Sequence, residues 1–356
     1  MRPAQRSRIE SLDVLRGIAA LLVAWYHFTN GNPAFIPAGH PLELSGKYGW
    51  TGVNIFFVIS GFVIPYTLHR SNYKLRNYFR FVLKRMIRLD PPFLAAMVII
   101  IVLGYGSAYV GEHPYHVTAV QVLLHFGYIN VFFGYDWLSP VFWTLAIEFQ
   151  YYLMMGLIFP VIMNNFRSRL LILLLLSCLA FIPSTSFIFH YLFCFLLGIT
   201  TFHYWSGVIQ RKQFIILVVL FGIGCWLTVG EAAAAASLLT VLIIPSMRIS
   251  HPVLRFFGTI SYSVYLLHVT IGGKVLNLSL RFSYGKGWVL LASFTATLVA
   301  AYLLYRLIEK PSQKWSSSIN YSKEPYNETH VQMIAPLSHA PTLKLESSLA
   351  ANETRL

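Results

Sequence analysis

The chain has 356 residues and a net charge of +14 at pH 7, with 56% apolar and only 11% charged residues. Because a soluble domain carries about 25% charged residues, this composition, with a mean hydropathy of +0.60, excludes a soluble globular protein. The apolar character continues to about residue 310, so a soluble domain on a single anchor is also excluded. The sequence therefore predicts an all-α, polytopic membrane protein.

Two ionisable residues lie within the first apolar segment of membrane length. Arg16 and His27 are eleven residues apart in SLDVLRGIAALLVAWYHFTNG. In a helix they share one face to within about 20° and lie about 16 Å apart along the axis. One is expected near a membrane surface and the other about halfway across. An arginine at this place can snorkel to the headgroups or line a wet cavity or reaction site inside the bundle, and the sequence leaves both interpretations open for Arg16.

Apolar blocks between polar breaks predict ten membrane-spanning helices. They cover residues 12–30, 50–68, 90–110, 140–162, 169–183, 186–204, 213–230, 233–247, 256–276 and 288–308. A further apolar segment, 117–135, is interrupted by His125, Gly127, Asn130 and Gly134. We therefore predict that this segment is re-entrant or interfacial and does not span.

The basic residues fall in alternate loops between these helices. With the N-terminus inside, the inside loops hold the basic segment 70–88 and further basic residues within 167–169, 211–212, 248–255 and 306–314. The positive-inside rule then predicts an even number of spans with both termini in the cytoplasm. The net charge is thus a topology signal, and nucleic acid is not an expected partner.

The composition changes sharply near the C-terminus. We predict a membrane-embedded domain over residues 1–315 and a disordered cytoplasmic tail over 316–356, which is rich in Ser, Thr, Asn, Pro and Glu. No metal-ligand spacing or nucleotide-binding fingerprint occurs in the sequence, and His113, His116 and His125 lack an acidic cluster. We expect no metal cofactor.

Two arginines lie side by side where the chain enters the third predicted span from the inside. Arg85 and Arg88, in LKRMIRLDPPF, are three residues apart and hence neighbours on a helix surface. Ordinary positive-inside flanking accounts for such charges. Two guanidinium groups at the mouth of a cavity also suit bidentate binding of phosphate. The sequence leaves both interpretations open.

Polar residues also lie inside later spans. Glu148, in VFWTLAIEFQYYL, is the most costly residue to bury in its span, and Trp143 precedes it by five positions. An acid at this depth usually pairs with a cation or borders a polar path. Ser60, in the second span, either permits close helix packing or contacts a substrate.

The ninth predicted span carries a second intramembrane histidine. Tyr265 and His268, in GTISYSVYLLHVTI, lie on adjacent helical turns, and the predicted orientation directs His268 toward the outer half of the membrane. Structural hydrogen bonding is the simplest role for a single buried histidine. Two histidines, a glutamate and several arginines in separate spans weaken the case for a purely structural role.

Over residues 10–312 the motifs occur in the order of a known family. They are LDVLRGIAALLVAWYH, GVNIFFVISGFVI, RMIRLDPPF, FWTLAIEFQYYL, FGTISYSVYLLH and YRLIEKP, and together they resemble the acyltransferase-3 family of integral-membrane O-acyltransferases. The resemblance implies about ten helices and transfer of an acyl group, most commonly acetyl, from cytoplasmic acyl-CoA. The implied acceptor is a hydroxyl of a cell-surface or exported carbohydrate, such as lipopolysaccharide or exopolysaccharide, at a bacterial inner membrane.

The resemblance also implies roles for individual residues. It assigns the catalytic arginine and histidine of the first helix to Arg16 and His27, the motif acid to Glu148, and the donor-binding arginine pair to Arg85 and Arg88. The residues expected to line the substrate path are Ser60, Trp143, Tyr265 and His268. In this sequence Asp90 stands where an aromatic residue commonly follows the arginine pair, and the second acid often found after the first is absent.

The implied reaction agrees with the chemistry of these residues. A carbohydrate hydroxyl is a weak nucleophile, and a neutral imidazole can take its proton as the oxygen attacks a thioester. We expect His27 to be this base, with an acyl-histidine intermediate as the alternative route. Arg16 would bind donor phosphate or stabilise developing negative charge.

A membrane transporter or flippase is the alternative function. The same buried His, Glu and Arg residues would then form a substrate or proton path. The sequence shows no inverted repeat and no paired, Gly/Pro-broken helices in matching halves, which disfavours this class.

Overall fold

The computed structural model describes residues 10–111, 114–246, 251–282, 284–319 and 321. Within these residues the regular secondary structure is helical, and no β-strand occurs. The α-helices are α1 (Glu10–Asn30), α2 (Pro41–Gly46), α3 (Gly52–Arg70), α4 (Tyr78–Gly111), α5 (Ala119–Phe126), α6 (Phe142–Asn164), α7 (Phe166–Leu179), α8 (Leu192–Trp205), α9 (Arg211–Val229), α10 (Glu231–Ser246), α11 (Pro252–Leu267), α12 (Gly273–Ser279), α13 (Lys286–Leu304) and α14 (Lys310–Ser318). Two π-turns, His268–Gly272 and Tyr305–Glu309, join α11 to α12 and α13 to α14.

The structure confirms an all-α, multi-pass membrane protein. Seven helical segments of the described residues are long and apolar enough to cross a membrane; they cover 12–30, 41–70, 75–111, 142–164, 188–205, 211–229 and 286–318. The other three predicted spans coincide with shorter helices, namely α7, α10 and the α11–α12 segment that a π-turn interrupts. Ten crossings with both termini in the cytoplasm remain a prediction.

Helix α4 begins earlier than the sequence indicated. It has 34 residues and is therefore about 51 Å long, well beyond a hydrocarbon core of about 30 Å. The predicted start at residue 90 was wrong because the basic residues before it were assigned to a loop. They occupy the first turns of the helix, so Arg85 and Arg88 are held on a rigid element.

The segment between α4 and α6 turns back into the bundle. Tyr128 follows α5 with a left-handed backbone (φ 57°), and its hydroxyl donates to Asp90 Oδ1 at 2.8 Å. Asp90 lies twelve residues into α4, about 18 Å from its start. The rings of Phe93 and Phe149 each lie 5.1 Å from the Tyr128 ring. These contacts support the re-entrant interpretation, since neither α5 nor the short helix after it is long enough to span.

His125 organises this re-entrant segment. Its side chain is fully buried, Nδ1 lies 2.7 Å from the carbonyl oxygen of Gln121, and Nε2 accepts from the backbone N–H of Leu138 at 3.1 Å. Burial lowers the pKa of His125, which favours the neutral ring that these contacts require. The residue is a structural hydrogen-bonding centre of the loop.

Two helix pairs pack through glycines. A Cβ placed at Gly258 of α11 would lie 2.0 Å from the backbone oxygen of Asp13 in α1, and one at Gly198 of α8 would lie 2.2 Å from that of Val58 in α3. Small residues allow this close approach of backbones in membrane bundles. The α1–α11 contact matters most for function because both helices carry ionisable residues.

The C-terminal helix α14 continues beyond the predicted domain boundary at residue 315. Ser316 is buried and donates to the backbone oxygen of Lys84 at 2.8 Å, and the Lys84 ammonium lies 5.1 Å from the centre of the Tyr321 ring. The folded domain therefore reaches at least Tyr321. Residues 322–356 lie outside the described part of the chain, so the disordered tail stays a prediction.

The glycine contact between α1 and α11 gives a direct test of the fold. Gly258→Ala would drive a methyl group into the α1 backbone, and overpacking of this kind costs about 1–3 kcal/mol. We expect a lower unfolding temperature of the purified protein in detergent. Gly273→Ala is the matched control, because a Cβ at that helical glycine of the same span meets nothing within 4 Å. Equal melting of the two variants would contradict the packing described.

Candidate functional site

A large cavity lies inside the helical bundle. Its volume is about 830 Å³, and α1, α3, α4, α6, α11 and α14 contribute to its lining. One end is bordered by Arg70, Lys84 and Ser317, on the side that the sequence predicts to be cytoplasmic, and the cavity extends inward to Thr144 and Tyr265. The cavity therefore reaches from one side of the protein deep into the bundle.

Three arginines that the sequence singled out line this cavity together: Arg16, Arg85 and Arg88. Arg85 is 8% exposed, and its Nη2 donates to Thr67 Oγ1 at 2.7 Å. Its guanidinium lies 5.6 Å from the centres of the Phe81 and Tyr152 rings. The Nε of Arg85 is buried without a hydrogen-bond partner within the described structure. Arg85 is thus fixed in place with a donor to spare.

A buried carboxylate, Glu309, lies among these positive charges. It is 3% exposed, lines the cavity, and interacts electrostatically with Arg88 and Arg16. Its oxygens accept from Ser263 Oγ at 2.5 Å and from Gln313 Nε2 at 2.9 Å. Sequence analysis did not single out Glu309. The available signal was a lone acid between basic residues in YRLIEKP.

Glu148 is bound by hydroxyl groups. Its Oε1 accepts from Ser60 Oγ at 2.8 Å and from the hydroxyl of Tyr152. Glu148 and Ser60 both line the large cavity. The structure thus brings Ser60 and Glu148 together, and Ser60 has a defined hydrogen-bonding role beside any contact with substrate.

The two intramembrane histidines meet beyond the inner end of the cavity. The His27 and His268 rings have centroids 5.1 Å apart. Tyr265 lines the cavity, its ring lies 5.8 Å from that of His268, and its hydroxyl is 2.6 Å from Thr144 Oγ1. Tyr265 therefore lies between the cavity and the histidine pair.

His27 lies near the end of its helix. Helix α1 ends at Asn30, only three residues later, and the predicted span 12–30 ends at the same residue. The position of His27 about halfway across the membrane stays a prediction. His27 is half-buried, and no residue of the described chain hydrogen-bonds its ring. Its nitrogens are available to a ligand.

Trp143 lies in a different cavity. This second cavity has a volume of about 290 Å³ and is lined by aromatic side chains that include Trp137, Trp143 and Tyr191, together with Thr185 and Ser186. The structure therefore groups Arg16, Arg85, Arg88, Ser60, Glu148 and Tyr265 around one cavity, places His27 and His268 just beyond it, and separates Trp143 from them.

Comparison with known proteins identifies the chain's relatives. A model of the acyltransferase domain family matches residues 9–306. The peptidoglycan O-acetyltransferase OatA of Listeria monocytogenes is 26% identical over 89% of this chain, which spans 58% of that protein. Nodulation protein 10 of Rhizobium leguminosarum bv. viciae is 23% identical over 87% of this chain and 94% of its own length. No solved structure matches the chain.

The charge arrangement in the cavity predicts energetic coupling between Glu309 and Arg88. Each single substitution, Glu309→Gln or Arg88→Gln, should lower the unfolding temperature, and the double variant should lower it by less than the sum. Charged residues of one interacting network typically couple by about 0.5–3 kcal/mol. Arg70→Gln is the control partner, because Arg70 is exposed and bonds Tyr66. Additive effects for Glu309 and Arg88 would contradict the arrangement.

Proposed function

The chain belongs to the acyltransferase-3 family of membrane O-acyltransferases, and we propose that it transfers an acyl group from acyl-CoA to a carbohydrate hydroxyl. The observation that carries the proposal is the interior cavity that is lined by Arg16, Arg85 and Arg88, with Arg70 at its end. An apolar bundle rarely holds such charges without a polar ligand or path. Acetyl is the acyl group we propose, since OatA is named an O-acetyltransferase.

The arginines would bind the phosphates of the donor. Guanidinium groups match phosphate in bidentate geometry, and Arg85 has a buried Nε without a partner in the described structure. The cavity volume of about 830 Å³ lies within the range of ligand-binding cavities. Its other lining residues include Val53, Phe56 and Phe57, which suit the less polar arm that carries the thioester.

His27 would act as the general base. The carbohydrate oxygen attacks the thioester carbon, and its proton passes to the free nitrogen of neutral His27 as the new C–O bond forms. The C–S bond then breaks, and the leaving thiolate takes the proton back from the imidazolium. General base catalysis of this kind contributes about 10²–10⁴-fold. An acyl-histidine intermediate is a second route through the same residue.

The remaining site residues would support this reaction from two sides. Arg16 would contact donor phosphate or the negative charge that develops on the thioester oxygen. Glu148, held by Ser60 and Tyr152, would keep the middle of the cavity polar. Tyr265 and His268 would border the acceptor, and Trp143 would contact it from the second cavity.

The acceptor would be a cell-surface or exported carbohydrate, and the site of action a bacterial inner membrane. The relatives support this acceptor class, since one of them is named for peptidoglycan O-acetylation. A cavity with one end on the predicted cytoplasmic side suits a donor that stays in the cytoplasm. The acyl arm would then extend through the bundle to an acceptor on the other side.

The experiment that tests this function is transfer of labelled acetyl from acetyl-CoA to cell-envelope glycan. Membranes carrying wild-type protein should label glycan, and His27→Ala should reduce labelling by about 10²-fold or more at equal protein level. His251→Ala is the matched control, since His251 is exposed at the start of α11. Acetyl-CoA consumption also separates an acyltransferase from a transporter or flippase, which would leave the thioester intact.

The donor site yields a second prediction. Arg85→Lys keeps the charge but removes the fork of donors, so KM for acetyl-CoA should rise about 10- to 100-fold, equivalent to about 1.5–3 kcal/mol of lost binding. Arg80→Lys is the control on the same helix, because Arg80 is exposed and absent from the cavity lining. An unchanged KM in Arg85→Lys would exclude Arg85 from donor binding.

A further inference from the structure

We infer that His268 is a positioning residue that fixes the tautomer and orientation of His27 through its Nε2 lone pair. The inference rests on the proposed role of His27 as the base and assigns His268 a role other than lining the acceptor path. Three observations carry it: the contacts of His268 Nδ1, the burial of Nε2, and the position of the His27 ring.

The protonation pattern of His268 follows from its backbone contacts. Its Nδ1 lies 2.8 Å from the carbonyl oxygen of Tyr265 and 3.1 Å from that of Val264. A carbonyl oxygen can only accept, so Nδ1 must carry the proton. In the neutral ring Nε2 then carries the lone pair and can only accept.

The Nε2 atom has no partner of its own. His268 is fully buried, and its Nε2 makes no hydrogen bond within the described structure. A buried acceptor without a hydrogen-bond partner is destabilising, so a neighbouring donor that can reach Nε2 is expected. His268 begins the π-turn after α11, and the ring is held there by its two carbonyl contacts.

The nearest ring that can donate to it is His27. The ring centroids of His27, Tyr265 and Phe28 lie 5.1, 5.8 and 6.5 Å from that of His268. Phe28 has no donor, and the Tyr265 hydroxyl already pairs with Thr144. A centroid separation of 5.1 Å between the two imidazole rings is compatible with an N–H···N hydrogen bond of about 2.9 Å from His27 to Nε2.

The packing of α1 against α11 places His27 and His268 at the same height in the bundle. Gly17 and Gly258 form the close contact between α1 and α11, and each histidine follows ten residues after the glycine of its own helix. The two helices therefore run in parallel, and the rings meet at the same height. This arrangement is a property of the packed backbones and does not depend on a bound ligand.

This hydrogen bond would determine which nitrogen of His27 acts as the base. When one His27 nitrogen donates to His268 Nε2, the other must carry the lone pair that takes the acceptor's proton. The hydrogen bond also persists in the imidazolium that forms during the reaction. His268 therefore acts through His27 and needs no contact with the reacting atoms.

The test is ¹⁵N NMR of the histidine-labelled full chain in detergent, with His27 assigned by its loss in His27→Asn. We expect one His27 tautomer in the wild type, a mixture of both in His268→Phe, and the single tautomer again in His268→Gln, whose amide oxygen can accept. In parallel, kcat for acetyl-CoA turnover should fall about 10- to 100-fold in His268→Phe, with KM for acetyl-CoA unchanged, and recover partly in His268→Gln.

Thr297→Val is the matched control. Thr297 also has a buried hydroxyl without a partner in the described structure, and it lies on α13 close to Gly272 of the same π-turn. The inference is overturned if His268→Phe leaves the His27 tautomer unchanged, or if Thr297→Val has the same effect on it. Full activity of His27→Ala would instead overturn the proposed base, and the tautomer measurement is independent of turnover.

Discussion

The central physical constraint is the placement of three guanidinium groups in the interior of an apolar helical bundle. Charged groups inside a membrane protein are expensive unless water, counter-charges or ligands surround them. Here Arg16, Arg85 and Arg88 face one cavity, and Glu309 lies among them. The cavity lining holds five basic side chains, Arg16, Arg70, Lys84, Arg85 and Arg88, against three acidic ones, Asp13, Glu148 and Glu309. This excess of positive charge favours an anionic ligand. The proposed donor, with its phosphates, is such a ligand.

The α1–α11 pair connects this charged cavity to the histidines. The Gly17–Gly258 contact lies next to Arg16, near the arginine cluster, and the same two helices carry His27 and His268 at their other ends. Tyr265 lies between, lining the cavity and contacting the His268 ring. A single close-packed helix pair thus sets the distance between the proposed donor-binding groups and the proposed base. The packing of α1 against α11 therefore determines the geometry of the proposed reaction site.

The sequence predicted much of the architecture because hydropathy and charge bias act locally. The all-α membrane class and the positions of most helical segments could be predicted in this way. Arg16, Arg85, Arg88 and Glu148 were also recognisable as costly residues in apolar segments. The predicted start of α4 was too late because the first turns of this helix are basic. A basic segment between two apolar segments was expected to form a cytoplasmic loop.

The rest depends on which helices are neighbours, and periodicity within one helix cannot give that. Nothing local indicates that His27 meets His268, that Ser60 bonds Glu148, or that Trp143 faces a separate cavity. Glu309 lies at the cavity only because a π-turn and α14 fold back beside α4, with Ser316 bound to Lys84.

The most direct test of the proposed function is a structure of the protein with a non-hydrolysable acetyl-CoA analogue. We expect phosphate density at Arg85 and Arg88, with the acyl arm extending toward Tyr265 and His27. An analogue bound elsewhere, or an empty cavity at saturating analogue, would contradict the proposed donor site.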